Sequence, residues 1–106
     1  MNWKWIAGVI VGSLILFGGT ALFSQGAAAD RGREVFAAQK CALCHSIKNS
    51  GGDEALDGVG ARLKPDEFKK RIQSPKDVKA GSKMKAYPNL PEKDLNDLID
   101  YLLTLK

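Results

Sequence analysis

A five-residue motif near the middle of the chain, Cys41-Ala42-Leu43-Cys44-His45, constrains the fold more than any other feature. It contains both cysteines of the 106-residue sequence and its single histidine. The Cys-x-x-Cys-His spacing is typical of the attachment of a c-type haem. Two thiols three residues apart can add to the two vinyl groups of one porphyrin, and the adjacent imidazole is then directed at the iron. The motif therefore predicts one covalently bound haem c, with Cys41 and Cys44 as thioether sites and His45 as an axial iron ligand.

Other interpretations of the motif are weaker. A redox-active Cys-x-x-Cys pair usually accompanies a βαβ pattern, and the sequence has no strand pattern. A structural zinc site needs four ligands, whereas two cysteines and one histidine supply three. A disulfide between Cys41 and Cys44 would close such a short loop that it would stabilise the fold very little.

The distribution of charge divides the chain near residue 30. Residues 1–29 contain one charged side chain, Lys4, and the other 27 charges lie in residues 30–106. A basic start, an uncharged apolar stretch over residues 6–23 and small residues before Asp30 match a secretory signal peptide. We predict a signal peptide over residues 1–29 and a periplasmic domain over residues 30–106. The alternative is an uncleaved anchor over residues 6–23, which would tether the domain to the outer face of the inner membrane.

Helical patterns account for most of the predicted domain. We predict a helix over residues 31–39 with Asp30 as its N-cap, and a second from Pro65 to about Ser74. A third follows Pro91, because its apolar residues recur at helical spacing: Leu95, Leu98, Ile99, Leu102 and Leu105. No segment alternates as a strand would. These patterns predict an all-α domain of three to four helices with long loops, wrapped around the haem.

The second axial ligand follows from counting the available donors. His45 is the only histidine, so a second histidine ligand within the chain is impossible, and Met84 is the only methionine in residues 30–106. A lone methionine often fills a gap in an apolar core. Met84, however, lies in an irregular polar segment where no helical face needs an apolar side chain. We therefore predict that Met84 completes the coordination of the iron.

Several further motifs resemble those of class I cytochromes c, which are small monohaem electron carriers. The resemblance covers nearly all of residues 30–106, and besides the haem motif it includes these segments: Gly32-x-x-x-Phe36, Leu56-Asp-Gly-Val-Gly60, Met84-Lys-Ala-Tyr-Pro-Asn-Leu90 and Leu98-Ile-Asp-Tyr101-Leu. It implies the small cytochrome c fold, in which the first and last helices cross at Gly32. It also implies a methionine ligand at the position of Met84.

The sequence departs from that family in one stretch. Many relatives have Gly-Pro-x-Leu after the haem motif, and the proline carbonyl accepts a hydrogen bond from Nδ1 of the ligand histidine. Here the stretch is Gly52-Asp-Glu-Ala-Leu56, so the acceptor for His45 is left open. The partners of the haem propionates are also open, and the candidates are Arg62, Lys64, Lys79 and Tyr87.

A basic segment suggests how the domain meets its partners. Residues 62–85 contain nine Lys or Arg against three acids, which gives a net charge of +6. We interpret it as a docking surface for acidic patches on redox partner proteins; the alternative is a solvated face that only confers solubility. Nucleic acid is an unsuitable partner, because the charge is mixed and no aromatic residues are interleaved with the basic ones. Four acids of the last helix are predicted to form an ordinary solvated face: Glu92, Asp94, Asp97 and Asp100.

The predicted ligand set favours an electron carrier over an enzyme, and we expect the carrier to be a monomer. With both axial positions filled, the iron offers no open site to a substrate. The alternative function is a haem-based sensor or ligand-binding module, in which Met84 is weakly bound and yields to a small gas. A haem peroxidase lacks support, because no second histidine is available to assist cleavage of the O–O bond.

Overall fold

The computed structural model describes residues 26–106 of the chain. The elements, in chain order, are α1 (26–38), a 3-10 turn (Cys41–Leu43), β1 (His45–Ile47), β2 (Ser50–Gly51), β3 (Glu54–Ala55), α2 (Val59–Arg62), α3 (Pro65–Gln73), α4 (Pro75–Val78) and α5 (Glu92–Leu103). The apolar stretch predicted as a signal or anchor, residues 6–23, lies outside the described residues. Within residues 26–106, none of the helices combines the length and apolar character that a bilayer crossing requires.

The start of α1 differs from the prediction. Asp30 was expected to cap a helix beginning at residue 31, but residues 26–30 are already helical, and Asp30 lies inside α1. The physical reason is composition. Alanine has the highest helix propensity, so Ala27, Ala28 and Ala29 extend the helix in the N-terminal direction beyond Asp30. The other end of α1, residue 38, lies one residue short of the predicted boundary.

A small sheet makes the description all-α incomplete. Its three strands are two or three residues long, in the order β2-β1-β3, with β1 antiparallel to β2 and parallel to β3. Strands this short cannot show a period of two, so no sequence pattern could indicate them. The sheet forms because the chain turns back twice directly after the haem motif, and the turn residues of 49–53 permit those reversals.

The other helices agree with the prediction in place and differ in number. The helix predicted from Pro65 is α3, which buries Phe68 and Ile72, and the C-terminal helix is α5. Two single-turn helices, α2 and α4, bring the number in residues 26–106 to five instead of three or four. Pro75 does end α3, but it also begins α4, because proline suits the first position of a helix.

The contact between α1 and α5 depends on a glycine, as the family resemblance implied. A Cβ at Gly32 would overlap the backbone oxygen of Asp97 and lie 2.6 Å from the Cβ of Tyr101. Next to this contact, the rings of Phe36 and Tyr101 meet edge to face, with centroids 5.8 Å apart. The absence of a side chain at Gly32 therefore allows α1 to approach α5 closely.

Asp97 overturns the expectation that the acids of α5 form a solvated face. Asp97 is only 6% exposed, and its Oδ2 accepts hydrogen bonds from Arg31 (3.1 Å) and Lys93 (2.8 Å). Hydrogen bonding by Lys93, with a smaller contribution from Arg31, lowers the pKa of the Asp97 carboxyl despite its burial. The salt bridge to Arg31 thus ties α1 to α5 beside Gly32.

The buried apolar side chains come from α1, α2, α3 and α5. Within the described residues they are Phe36, Val59, Phe68, Ile72, Leu95, Leu98, Ile99 and Leu102. Leu105, predicted as part of the last helix, lies after it and packs against this core only partly buried. A set this small is a marginal core for a domain of this size, which agrees with a fold completed by a cofactor.

Candidate cofactor site

A cavity of about 230 Å³ separates the haem motif from α3 and the segment after α4. Its wall is mostly apolar and includes Phe36, Leu56, Val59, Phe68, Ile72 and Leu98. Several of these residues also belong to the core, so the cavity lies against the core of the domain. An apolar space left unfilled is destabilising, because the side chains that line it lose contacts.

His45 lines this cavity from the first residue of β1. Its Nδ1 lies 3.1 Å from the backbone oxygen of Glu54. A carbonyl oxygen can only accept, so Nδ1–H is the donor and the neutral ring keeps the lone pair of Nε2 for a metal. The contact answers the question left open by the missing Gly-Pro-x-Leu stretch, since the acceptor is provided by the first residue of β3, which pairs with His45.

Backbone hydrogen bonds fold the segment after the motif tightly onto it. The amide of Gly52 donates to the oxygens of Ala42 (3.0 Å) and His45 (3.1 Å), and the amide of Glu54 donates to the oxygen of Cys44 (2.8 Å). A Cβ at Gly52 would lie 2.5 Å from the backbone carbonyl carbon of Cys44. The position of His45 is therefore fixed by main-chain contacts.

The two cysteines lie in unlike environments. Cys41 is half-buried and lines the cavity, whereas Cys44 is exposed and does not appear in its wall. Burial raises the pKa of the Cys41 thiol, opposed by a hydrogen bond with the Cys41 backbone. Cys41 and His45 therefore face the same space.

Met84 lines the same cavity from an irregular loop, residues 79–91, between α4 and α5. It is partly buried, and its amide donates to Oγ of Ser82 at 3.3 Å. Three residues later, Tyr87 also lines the cavity, and its hydroxyl donates to the backbone oxygen of Gln39 at 3.0 Å. Burial, with smaller contributions from Cys41 and Cys44, raises the pKa of Tyr87.

The basic residues that reach the cavity are Arg71 and Lys79. Among the residues predicted to meet the haem propionates, Lys79 and Tyr87 line the cavity, whereas Arg62 and Lys64 do not. The Arg62 side chain donates instead to the backbone oxygen of Asp57 at 3.1 Å. Sequence reasoning missed Arg71, although its position three residues after Phe68 on α3 places it next to the buried face of that helix.

Comparison with known proteins decides which family this architecture represents. The family model described as Cytochrome c matches residues 29–106. The chain belongs to the cytochrome c family. It accordingly carries a covalently bound c-type haem and functions in electron transfer, in a small helical fold that encloses the haem.

Part of a longer protein is similar to this chain. The chain is 32% identical over 88 aligned positions to cytochrome c oxidase subunit 2 of Alkalihalophilus pseudofirmus. The alignment covers 74% of this chain and 26% of that protein. The chain therefore spans about a quarter of the length of this relative.

The residues around the cavity fit a haem of this kind. The wall offers apolar contact for a porphyrin, an imidazole with a free Nε2, a methionine and a half-buried cysteine. An apolar setting with nitrogen and sulfur donors matches the known ways in which proteins hold haem iron.

Proposed function

We propose that this cytochrome c domain is a one-electron carrier with His/Met ligation. Haem, when bound, supplies the one-electron chemistry through its iron. In this proposal Cys41 and Cys44 hold it covalently, and His45 and Met84 are the axial ligands. The observation that carries the proposal is that His45 and Met84 line one apolar cavity, with Nδ1 of His45 hydrogen-bonded to the backbone.

The hydrogen bond to Glu54 gives His45 a defined role. It holds the tautomer in which Nε2 is free, and it fixes the orientation of the ring. Because the acceptor is a backbone oxygen within a paired strand, the ring has little freedom to turn between the two oxidation states. A ligand that does not move allows an electron to be transferred with little rearrangement.

The apolar wall and the methionine sulfur act in the same direction on the reduction potential. Methionine in place of a second histidine raises the potential of haem iron, and exclusion of water disfavours the more highly charged ferric state. We assign Arg71 and Lys79 to the haem propionates, because they are the basic side chains among the cavity-lining residues within 26–106. Positive charge at the cavity favours the ferrous state, which is less positively charged than the ferric state.

Redox partner proteins complete the proposed function. The basic residues of 62–85 support docking to acidic patches, and Lys83 and Lys85 are exposed on either side of Met84. The oxidase subunit among the relatives supports a terminal oxidase as the class of acceptor. We place the domain, residues 30–106, as a monomer outside the cytoplasmic membrane, after a signal or anchor over residues 1–29.

Visible spectroscopy of the haem-loaded protein tests the ligand set. We expect the ferric wild type to show the far-red charge-transfer band of a Met–haem bond, and Met84→Ala to lose it. Reduced wild type should not bind carbon monoxide under native conditions. If wild type lacks the band and binds carbon monoxide, the small-gas sensor replaces the electron carrier as the better description.

A further inference from the structure

The loop that carries Met84 has little structure of its own. Residues 79–91 separate α4 from α5 without a helix or strand. Two hydrogen bonds within the loop are local, from the amide of Ser82 to the oxygen of Lys79 and from the amide of Met84 to Oγ of Ser82. Local bonds shape a loop but do not hold it against the rest of a domain, so longer contacts must fix Met84 at the cavity.

Those longer hydrogen bonds converge on one residue. Among the residues that the structure describes, two hydrogen bonds join residues 80–90 to other elements, and Tyr87 is the donor in both. Its amide donates to the backbone oxygen of Ile72 on α3 (3.0 Å), and its hydroxyl donates to the backbone oxygen of Gln39 (3.0 Å). Gln39 lies just beyond α1 and two residues before Cys41. Tyr87 thus connects the Met84 loop to α3 on one side and to the start of the haem motif on the other.

The ring of Tyr87 is held as well as its polar atoms. It packs partly buried against the apolar core, and Nζ of Lys85 lies 5.5 Å from its centroid. Because the ring is fixed by packing, the hydroxyl meets the Gln39 oxygen without a large loss of side-chain freedom. The bond to Gln39 can be removed alone, since phenylalanine keeps the ring.

We propose that Tyr87 is the positioning residue that keeps Met84 at the iron, through the hydrogen bond from its hydroxyl to the backbone of Gln39. This inference rests on the ligation of Met84 proposed above. A thioether is a soft, neutral donor that prefers the softer ferrous ion, so the ferric protein depends most on how the loop is held. Loss of the bond increases the fraction of ferric protein in which Met84 is released.

Binding of free imidazole to the ferric haem-loaded protein measures that fraction. An external ligand competes for the position of Met84, and its apparent affinity rises in proportion to the released fraction. For Tyr87→Phe we expect about a fivefold gain in imidazole affinity, the fold change that corresponds to ~1 kcal/mol for one hydrogen bond. The far-red Met–haem band should weaken accordingly.

Tyr101→Phe is the matched control, because it makes the same chemical change at the other tyrosine. Tyr101 packs on Phe36 in the crossing of α1 and α5, and among the described residues its hydroxyl makes no hydrogen bond. Its variant should bind imidazole like the wild type. Amide hydrogen exchange adds a structural readout: in Tyr87→Phe the amide of Tyr87 should exchange faster, and the amide of Glu54 should not.

The outcomes separate this inference from the proposed ligation. If Met84→Ala gains affinity and Tyr87→Phe does not, Met84 is the ligand and the positioning role of Tyr87 is wrong. Equal gains in Tyr87→Phe and Tyr101→Phe would also overturn it, because the effect would then be general loosening. If Met84→Ala binds imidazole no better than the wild type, the ligation itself fails.

Discussion

The two sides of the cavity are built in different ways. On the His45 side, the chain returns within nine residues, and backbone atoms supply the contacts that orient the imidazole. On the Met84 side, an irregular loop reaches the cavity from between two helices, and the hydroxyl of Tyr87 holds it to a segment 48 residues away in sequence. Main-chain pairing orients His45, whereas the Met84 loop is held by one main-chain hydrogen bond, from the amide of Tyr87 to the oxygen of Ile72, and by the hydroxyl of Tyr87.

This difference indicates where the site can change. Backbone hydrogen bonds between neighbouring segments survive most substitutions, because they do not depend on the side chains present. On the Met84 side, one of the two hydrogen bonds that hold the loop comes from the Tyr87 side chain, so a single substitution can remove it. Substitutions on the Met84 side should therefore alter the site more readily than substitutions on the His45 side.

Preventing haem attachment should have the largest effect on stability. It would also show whether the His45 side and the Met84 side of the cavity differ when no cofactor is bound. In Cys41→Ala/Cys44→Ala, which cannot form thioethers, we expect no cooperative thermal unfolding transition by circular dichroism. Without the haem, the apolar side chains that line the cavity lose their packing partner, and a small domain has little stability to lose. Any protection from amide hydrogen exchange that remains should lie on the His45 side. Protection found only in residues 79–91 would contradict the proposed difference between the two sides.

Replacing a glycine by alanine on each side of the cavity should give the next largest difference in stability. Gly52→Ala should destabilise the holoprotein by about 1–3 kcal/mol, because the new Cβ would press on the backbone of Cys44. A Cβ at Gly81, in the Met84 loop, would meet no atom within 4 Å, so Gly81→Ala should change stability by no more than about 0.5 kcal/mol. Denaturant unfolding checks both, and equal losses would contradict the comparison.

Asp97→Asn tests whether the crossing of α1 and α5 is independent of the His45 and Met84 sides of the cavity. We expect a loss of about 1–2 kcal/mol at pH 7, limited because Arg31 and Lys93 remain 47% and 69% exposed and can be hydrated. The folded state lowers the pKa of Asp97, so its contribution is complete above the usual aspartate value of about 3.9 and is lost as the pH falls below it. Unfolding measured against pH should show the two proteins converging below about pH 4. A gain in imidazole affinity in this variant would show that the crossing is coupled to the Met84 side.

The smallest expected effect concerns charge. Lys83→Gln and Lys48→Gln remove one exposed positive charge each, the first beside Met84 and the second directly after β1 on the His45 side. If the Met84 side faces the docking surface, Lys83→Gln should slow reduction by ferrocyanide about twofold at low salt, and Lys48→Gln should have less effect. Stopped-flow rates at rising ionic strength should bring the variants together. If both variants slow the reaction equally, the proposal that the basic residues of 62–85 form the docking surface is wrong.

The sequence predicted the helices whose patterns are long. The buried face of α5 follows the i, i+3, i+4 rule over three turns, and Pro65 indicates the start of α3 because proline suits that position. It did not predict the three strands, since two or three residues carry no period. It misplaced the start of α1, where three alanines outweighed a capping aspartate.

The candidate site shows the same division between local and distant information. Cys41, Cys44 and His45 form a motif of adjacent residues, and Met84 follows from counting. The acceptor for His45, the salt bridge of Asp97 with Arg31 and the contact of Tyr87 with Gln39 join residues that are 9, 66 and 48 positions apart. Spacing along the chain does not indicate such pairs.

The sequence by itself determined the chemistry of this protein, because thiols, an imidazole and a thioether can be identified without knowing where they lie. Tertiary structure alone decided how those groups are held: a backbone oxygen from β3 orients His45, and a tyrosine anchors the loop of Met84. The physical reason is that a donor's identity resides in one residue, whereas its orientation depends on contacts created only when distant segments fold together.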